Sequence, residues 1–225
     1  MKIKIYQIEE SADKNRVKFE AYADLEKYQG DKNVNPELYK QVFAGDVDAK
    51  DLEDVFVLFN TKGHPLYRGH SMSMSDIVVN ADGAFYCDDI GFIKTDFDES
   101  KTIKNDNLLR AVYVEPGKPA YETEIENTLE AEQKAVGGYI EVVPLDNGKL
   151  FICNEEGKLS GMQGNRRIGE DIIVGPFFIV GSDGDEFRSL TDEETKESLK
   201  RFAEPEDISQ EDVKNAMSAG VMFFG

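Results

Sequence analysis

The sequence predicts an α+β protein: two small mixed domains with antiparallel-rich sheets, followed by a C-terminal helical hairpin. Three observations predict it. Short alternating segments separated by turn residues recur as far as Val180, as half-buried strands do. A polar stretch from Thr95 to Asn107 contains only Phe97 and Ile103 as apolar residues and reads as a connection. After Leu190 two capped amphipathic segments close the chain. The expected boundaries are 1–97, a linker at 98–107, a second domain at 108–186 and helices over 187–225.

In the first half, 2–8 alternates polar and apolar residues and reads as a strand, and 17–22 repeats the pattern. Asp24 to Tyr28 reads as a helical turn ending near Gly30. A strand is expected at 38–43. Asp51 to Asp54 looks like a short helical approach to 55–59, Val-Phe-Val-Leu-Phe, whose unbroken apolarity suits a strand covered on both sides at the centre of the first sheet. Ser73 and Asp76 are spaced to cap a short helix or turn over 73–78. Strands at 84–87 and 91–94 follow the turn at 80–83.

In the second half a strand begins at Leu108 and runs to Val114. Thr123 and Glu126 have capping-box spacing ahead of a helix with Ile125, Leu129 and Val136 on one stripe, ended by Gly137 and Gly138. Asp146-Asn147-Gly148 joins strands at 139–143 and 150–153, because Asn-Gly supplies the positive φ that a tight hairpin requires. The stretch 171–180 reads as a buried strand interrupted at Gly175-Pro176, where the missing proline donor implies an edge or bulge. Thr191 and Glu194 open one helix, with Leu199 and Phe202 on a face and Glu197 set to pair with Arg201. Ser209 and Asp212 open the next, with Ile208 stapled to Val213. The tail 221–225 is apolar enough to dock on the protein.

The chain has 225 residues and a formal net charge of −19. The acid excess is uneven: residues 1–105 hold 14 basic and 20 acidic residues, and residues 106–225 hold 12 and 25. Such a chain is poorly suited to gripping phosphate backbones, which calls for basic surface, so direct nucleic-acid binding is not expected. A basic protein partner, or competition with DNA for one, fits the charge. Cys87 and Cys153 stand alone and are read as reduced thiols of a cytoplasmic protein. No leader-like layout and no membrane-spanning apolar run is seen.

Chemistry-bearing side chains concentrate in one place. His64, Tyr67, Arg68, His70, Ser71, Ser73, Ser75 and Asp76 crowd thirteen positions and include both histidines of the chain. Serine, histidine and aspartate together suggest a hydrolase, but no G-x-S-x-G elbow presents a nucleophile, so a helix cap is the competing reading. Asn154, Asn165 and Arg166 form a second candidate polar group. Acidic residues lack the spacing of a calcium loop, and phosphate-loop and dinucleotide motifs are missing, so no metal or cofactor is expected.

Residues 3–8, 19–22, 35–39 and 55–60, and above all His64-Pro-Leu-Tyr-Arg-Gly-His-Ser-Met-Ser-Met-Ser-Asp-Ile77 with 85–87 and 91–92, make the first half resemble a YodL-like domain. His70 stands where that family usually carries an arginine. The stretches 135–143, 152–159, 165–166 and 171–175 make the second half similar to a small domain of unknown function found in phage and conjugative-element proteins. The resemblance implies an accessory protein of a mobile genetic element, associated with antirestriction functions, that binds a host factor or the element's own machinery without catalysis. An enzyme or small-molecule binder using the Arg68–Asp76 cluster is the alternative.

Overall fold

The computed structural model describes residues 1–169, 171–184 and 186–221, in two compact units, Met1–Asp106 and Asn107–Gly225. It is an α+β protein with antiparallel sheets.

In the first unit β1 (Lys2–Ile8) lies between β2 (Tyr39–Asp46) and β3 (Ile77–Asn80), and the sheet continues through β4 (Gly83–Cys87) to β5 (Phe92–Thr95), giving the order β2-β1-β3-β4-β5. Both faces of β1 are covered. Ile5 pairs with Phe43 and Val78 on one face, while Tyr6 and Ile8 join Tyr39, Ile77 and Tyr86 in a core on the other. That second core is roofed by the irregular segment 9–38, which includes α1 (Leu25–Gln29), closed by Gly30 in the left-handed region. The expected strand over 17–22 does not form. Its residues make turns instead, with Arg16 and Phe19 at positive φ, and Val17 drops into the core.

The run 55–59 is the main correction. It belongs to a helix, α2 (Leu52–Thr61), with Asp51 as N-cap accepting from the Asp54 amide. An unbroken apolar run has no period of its own, so capping and packing decide its state. Val55 and Phe59, four apart, face inward, and Phe59 meets Phe43 at a 4.9 Å ring separation. Val57 points outward, 56% exposed. Of the short helix or turn expected at 73–78 the turn forms, with the Asp76 amide donating to the Ser73 carbonyl, and the chain then enters β3. The polar stretch read as a linker lies against the first unit, with Glu99 accepting from Lys4 and Tyr6 and with Ile103 bridged to Lys40.

In the second unit β6 (Leu108–Val114), β7 (Tyr121–Glu126), β8 (Ile140–Leu145), β9 (Lys149–Asn154), β12 (Phe177–Asp183) and β13 (Glu186–Arg188) form a sheet of path β7-β6-β12-β9-β8, with β13 on β12. β10 (Gly164–Ile168) and β11 (Asp171–Val174) make a separate ribbon. The supposed cap at Thr123 lies in β7, whose Tyr121, Thr123 and Ile125 are buried. The helix α3 (Leu129–Val136) starts later, capped by Thr128, and ends at Gly137 as expected. The hairpin at Asp146–Gly148 is present, with Asn147 at φ 62°. The break at Gly175-Pro176 separates β11 from β12, so it is a change of sheet within the expected strand.

Of the C-terminal helices, α4 (Asp192–Arg201) has the full Thr191–Glu194 capping box and contributes Leu199 to a core shared with Phe202 and Phe177. Glu197 and Arg201 do not pair with each other; they meet Lys149 and Asp146. Helix α5 (Gln210–Val221) follows Ile208, which shares a small core with Val213, Ile172 and Val174. The tail 222–225 lies outside the described residues.

These assignments separate two substitutions on one helix. Phe59→Ala should cost about 3–5 kcal/mol of stability, whereas Val57→Ser should stay within about 0.5 kcal/mol. Urea denaturation followed by circular dichroism measures both. Comparable losses would restore the doubly covered strand.

Candidate functional site

The histidine-rich segment forms the loop between α2 and β3, and its geometry is set by a residue outside the segment. Gln7 occupies the alternate positions of β1 that also hold Ile3 and Ile5, so its carboxamide is carried into the buried face of the sheet and is 4% exposed. The loop passes directly over it at Gly69. A Cβ there would fall 2.2 Å from Gln7 Oε1, so only glycine allows the approach.

Gln7 then bonds the loop on both sides of that glycine. Its Oε1 accepts from the His70 amide at 3.0 Å, and its Nε2 lies 2.9 Å from Tyr67 Oη, 2.9 Å from the His70 carbonyl and 2.8 Å from Asp76 Oδ2. Nε2 also lies 3.2 Å from His70 Nδ1, so its two N–H hydrogens face four neighbouring atoms. The Tyr67 hydroxyl donates to the His70 carbonyl at 2.5 Å, and Asp76 Oδ2 also accepts from the Ser73 amide at 2.9 Å. The Ser73–Asp76 contact expected from the sequence therefore exists, but the carboxylate accepts from the serine backbone and closes a turn ahead of a strand.

Catalytic geometry does not result. His70 Nδ1 lies 2.7 Å from the Ser71 carbonyl and 3.2 Å from Gln7 Nε2, and among the described residues the ring has no bond to Asp76. A serine–histidine–carboxylate relay needs that bond. Ser75, at φ 73°, uses its hydroxyl to accept from the Phe19 amide, while its carbonyl accepts from Tyr39 Oη. His64 lies edge-on to Phe43 at 4.8 Å and its Nδ1 accepts from the Leu66 amide. Arg68 sends its amide to the Val42 carbonyl and a guanidinium nitrogen toward that of Gln41. Ser71 and His70 are exposed, and Ser73 Oγ is buried without a partner among the described residues.

Burial pushes the Asp76 carboxyl up to about 7, against the opposing hydrogen bonds from Gln7 and Ser73 and the charge of Lys18. Burial likewise raises Tyr67, with the Asp76 charge adding to it.

The second candidate group is divided. Asn154 closes an Asx turn with the Glu156 amide and donates to the Val136 carbonyl. Asn165 and Arg166 form a different, fully buried centre. Asn165 Nδ2 donates to the Val114 and Gly175 carbonyls, tying the end of β6 to the change of sheet. Arg166 donates through Nη1 to Asn165 O and Oδ1, and through Nη2 to the carbonyls of Lys118 and Phe202. Phe202 is the C-cap of α4, so the cation meets the negative end of the helix. Burial lowers the Arg166 pKa, with Glu206 acting against it.

Gln7 was missed by sequence reasoning. Its signal was a polar residue on the apolar side of a strand, which is the informative kind of exception. Among the described residues no group of His, Cys, Asp and Glu could hold a metal ion, and no helix is long and apolar enough to cross a membrane.

Fold and polar centres together define a two-unit α+β protein in which Gln7, Tyr67 and Asp76 form one buried polar centre and Asn165 and Arg166 another. Residues 2–97 match the YodL-like domain family, and residues 109–203 match Domain of unknown function (DUF3846). The chain carries these two domains in that order. Comparison with curated proteins and with solved structures gave no match.

Two substitutions test the assignments. A carboxyl with its folded pKa raised from 3.8 to about 7 stabilises the fold most below the unfolded value and loses that contribution as pH rises through this window. Asp76→Asn keeps an acceptor for Gln7 and Ser73 without the charge, so it should gain up to a few kcal/mol over the wild type at pH 8 and flatten the stability profile between pH 4 and 7; an unchanged profile would contradict the burial. Arg166→Ala strands the carbonyls of Lys118 and Phe202 and should cost about 1–3 kcal/mol for each in urea denaturation.

Proposed function

We propose that the protein is a non-catalytic accessory protein of a mobile genetic element. It works in the cytoplasm by binding a basic surface on a host factor or on the element's own machinery. The observation that carries this reading is that Tyr67 and Asp76 are tied to Gln7, the His70 carbonyl and the Ser73 amide, while among the described residues His70 has no bond to a carboxylate and a serine hydroxyl that would make a relay. What the molecule offers outward is charge. Glu193 on α4, Glu204 and Asp207 between the helices, and Glu211 on α5 are exposed on the more acidic half of the chain.

A carboxylate surface of this kind attracts a basic partner over a Debye length and loses that attraction in salt. If its spacing imitates duplex phosphates, the partner is a DNA-binding protein and duplex DNA competes for it. The enzyme reading would need His70 bonded to a carboxylate and a hydroxyl, whereas its ring bonds a backbone carbonyl.

The test is a pull-down from host lysate between about 0.1 and 1 M salt, with wild type beside a variant carrying Glu193→Lys, Glu204→Lys, Asp207→Lys and Glu211→Lys. The expected result is a partner captured at low salt, released at high salt and lost in the variant. Displacement by duplex DNA would identify the mimic form. Capture that ignores both salt and the four substitutions would contradict the proposal.

A further inference from the structure

The apolar run 55–59 asks for more burial than the first unit gives it. A surface helix normally carries one apolar stripe, and a helix apolar all round is normally buried. Helix α2 spends Val55 and Phe59 on the core, yet Phe56 and Val57 remain 37% and 56% exposed. Glu53, Phe56, Val57 and Asn60 stand at i, i+3, i+4 and i+7 and so share one face.

Neighbouring loops extend this face at both ends. Glu53 lies beside the β4–β5 turn, 3.7 Å from where a Cβ on Gly91 would be, and the adjoining Ile90 is 88% exposed. At the other end Asn60 donates to the Met72 carbonyl, next to the loop where His70 meets the ring of Phe19 at 5.5 Å. Phe19 is itself 48% exposed and is held at φ 70°, an unusual backbone state for an aromatic residue. Of the large exposed hydrophobic residues described in this unit, Phe56 and Val57 share the face of α2, Ile90 adjoins the turn beside Glu53, and Phe19 stands beside the loop that follows the Asn60 end.

We propose that this extended face is a docking surface for a basic segment of a partner protein that inserts an apolar anchor against Phe56, Val57 and Ile90. Charge selects the occupant. At the Phe56–Ile90 end Glu53, Asp54 and Asp89 neighbour the apolar residues in sequence and are exposed, whereas Lys18 stands over the ring of Phe19 at the far end. A second copy of the chain brings its own charge of −19, and an anionic lipid surface brings the same sign, whereas a basic segment is drawn in. The surface belongs to the YodL-like unit and acts independently of the carboxylates on the second unit.

The test uses the full chain and two labelled synthetic amphipathic peptides, one of Leu and Lys and one of Leu and Glu, followed by fluorescence anisotropy. The Leu/Lys peptide should bind, and Phe56→Ser/Val57→Ser should weaken it about tenfold or more, as loss of a central anchor does. Ile90→Ser alone should weaken it as well, which keeps the test intact if the double variant fails to fold by circular dichroism. The four lysine substitutions on the second unit should leave this apolar dependence in place. Equal affinity for wild type and the apolar variants would overturn the proposal, as would equal affinity for the Leu/Glu peptide. So would a wild-type dimer in sedimentation that Phe56→Ser/Val57→Ser converts to monomer.

Discussion

One buried carboxamide organises the first unit. Gln7 sits on the strand between β2 and β3, and through it the loop from α2 to β3 is fixed to the sheet at Tyr67, His70 and Asp76. A hydrogen bond of this kind adds only about 0.5–1.5 kcal/mol net, but leaving its buried partners unmade costs more, and Asp76 would lose the donor that makes its burial tolerable. The constraint reaches into the covalent sequence: a side chain at Gly69 would push the Gln7 carboxamide out of the place where it makes these bonds.

The second unit solves a similar problem with a cation. Arg166 is 1% exposed and its two terminal nitrogens donate to neutral oxygens from its own ribbon, from the segment after β6 and from the end of α4, while its Nε is buried without a partner among the described residues. Both hubs sit where irregular chain meets regular structure, where backbone groups lack ladder partners and a side chain must supply them. Tyr67, Asp76, Asn165 and Arg166 thus turn inward, while exposed carboxylates stand on both units.

Much of the fold was legible because its signals are local. Alternation marked β1 and β6, the Asn147-Gly148 hairpin was set by positive φ, and the Thr191–Glu194 box was a matter of spacing. Where the reading failed, the decision lay elsewhere in the chain. Residues 55–59 have no period, and Asp51 with Phe43 made them helical. Thr123 had capping-box spacing, but pairing with Ala111 claimed it for β7. The side chains at 64–76 share one loop, yet the bonds that Tyr67, His70 and Asp76 make depend on Gln7, some sixty positions away and across a strand pairing. Asn165 and Arg166 proved to share a centre while Asn154 did not, a distinction that depends on which sheet each strand joins.

The claim that Gln7 makes the His64–Asp76 loop part of the fold's framework is tested most directly by hydrogen–deuterium exchange of Gln7→Leu beside the wild type. The account predicts that amides of residues 67–76 lose protection while those of β6, β9 and β12 keep theirs. Undiminished protection of 67–76 in the variant would show that the loop is held by other means, and would reopen the cluster as a site built for something other than structure.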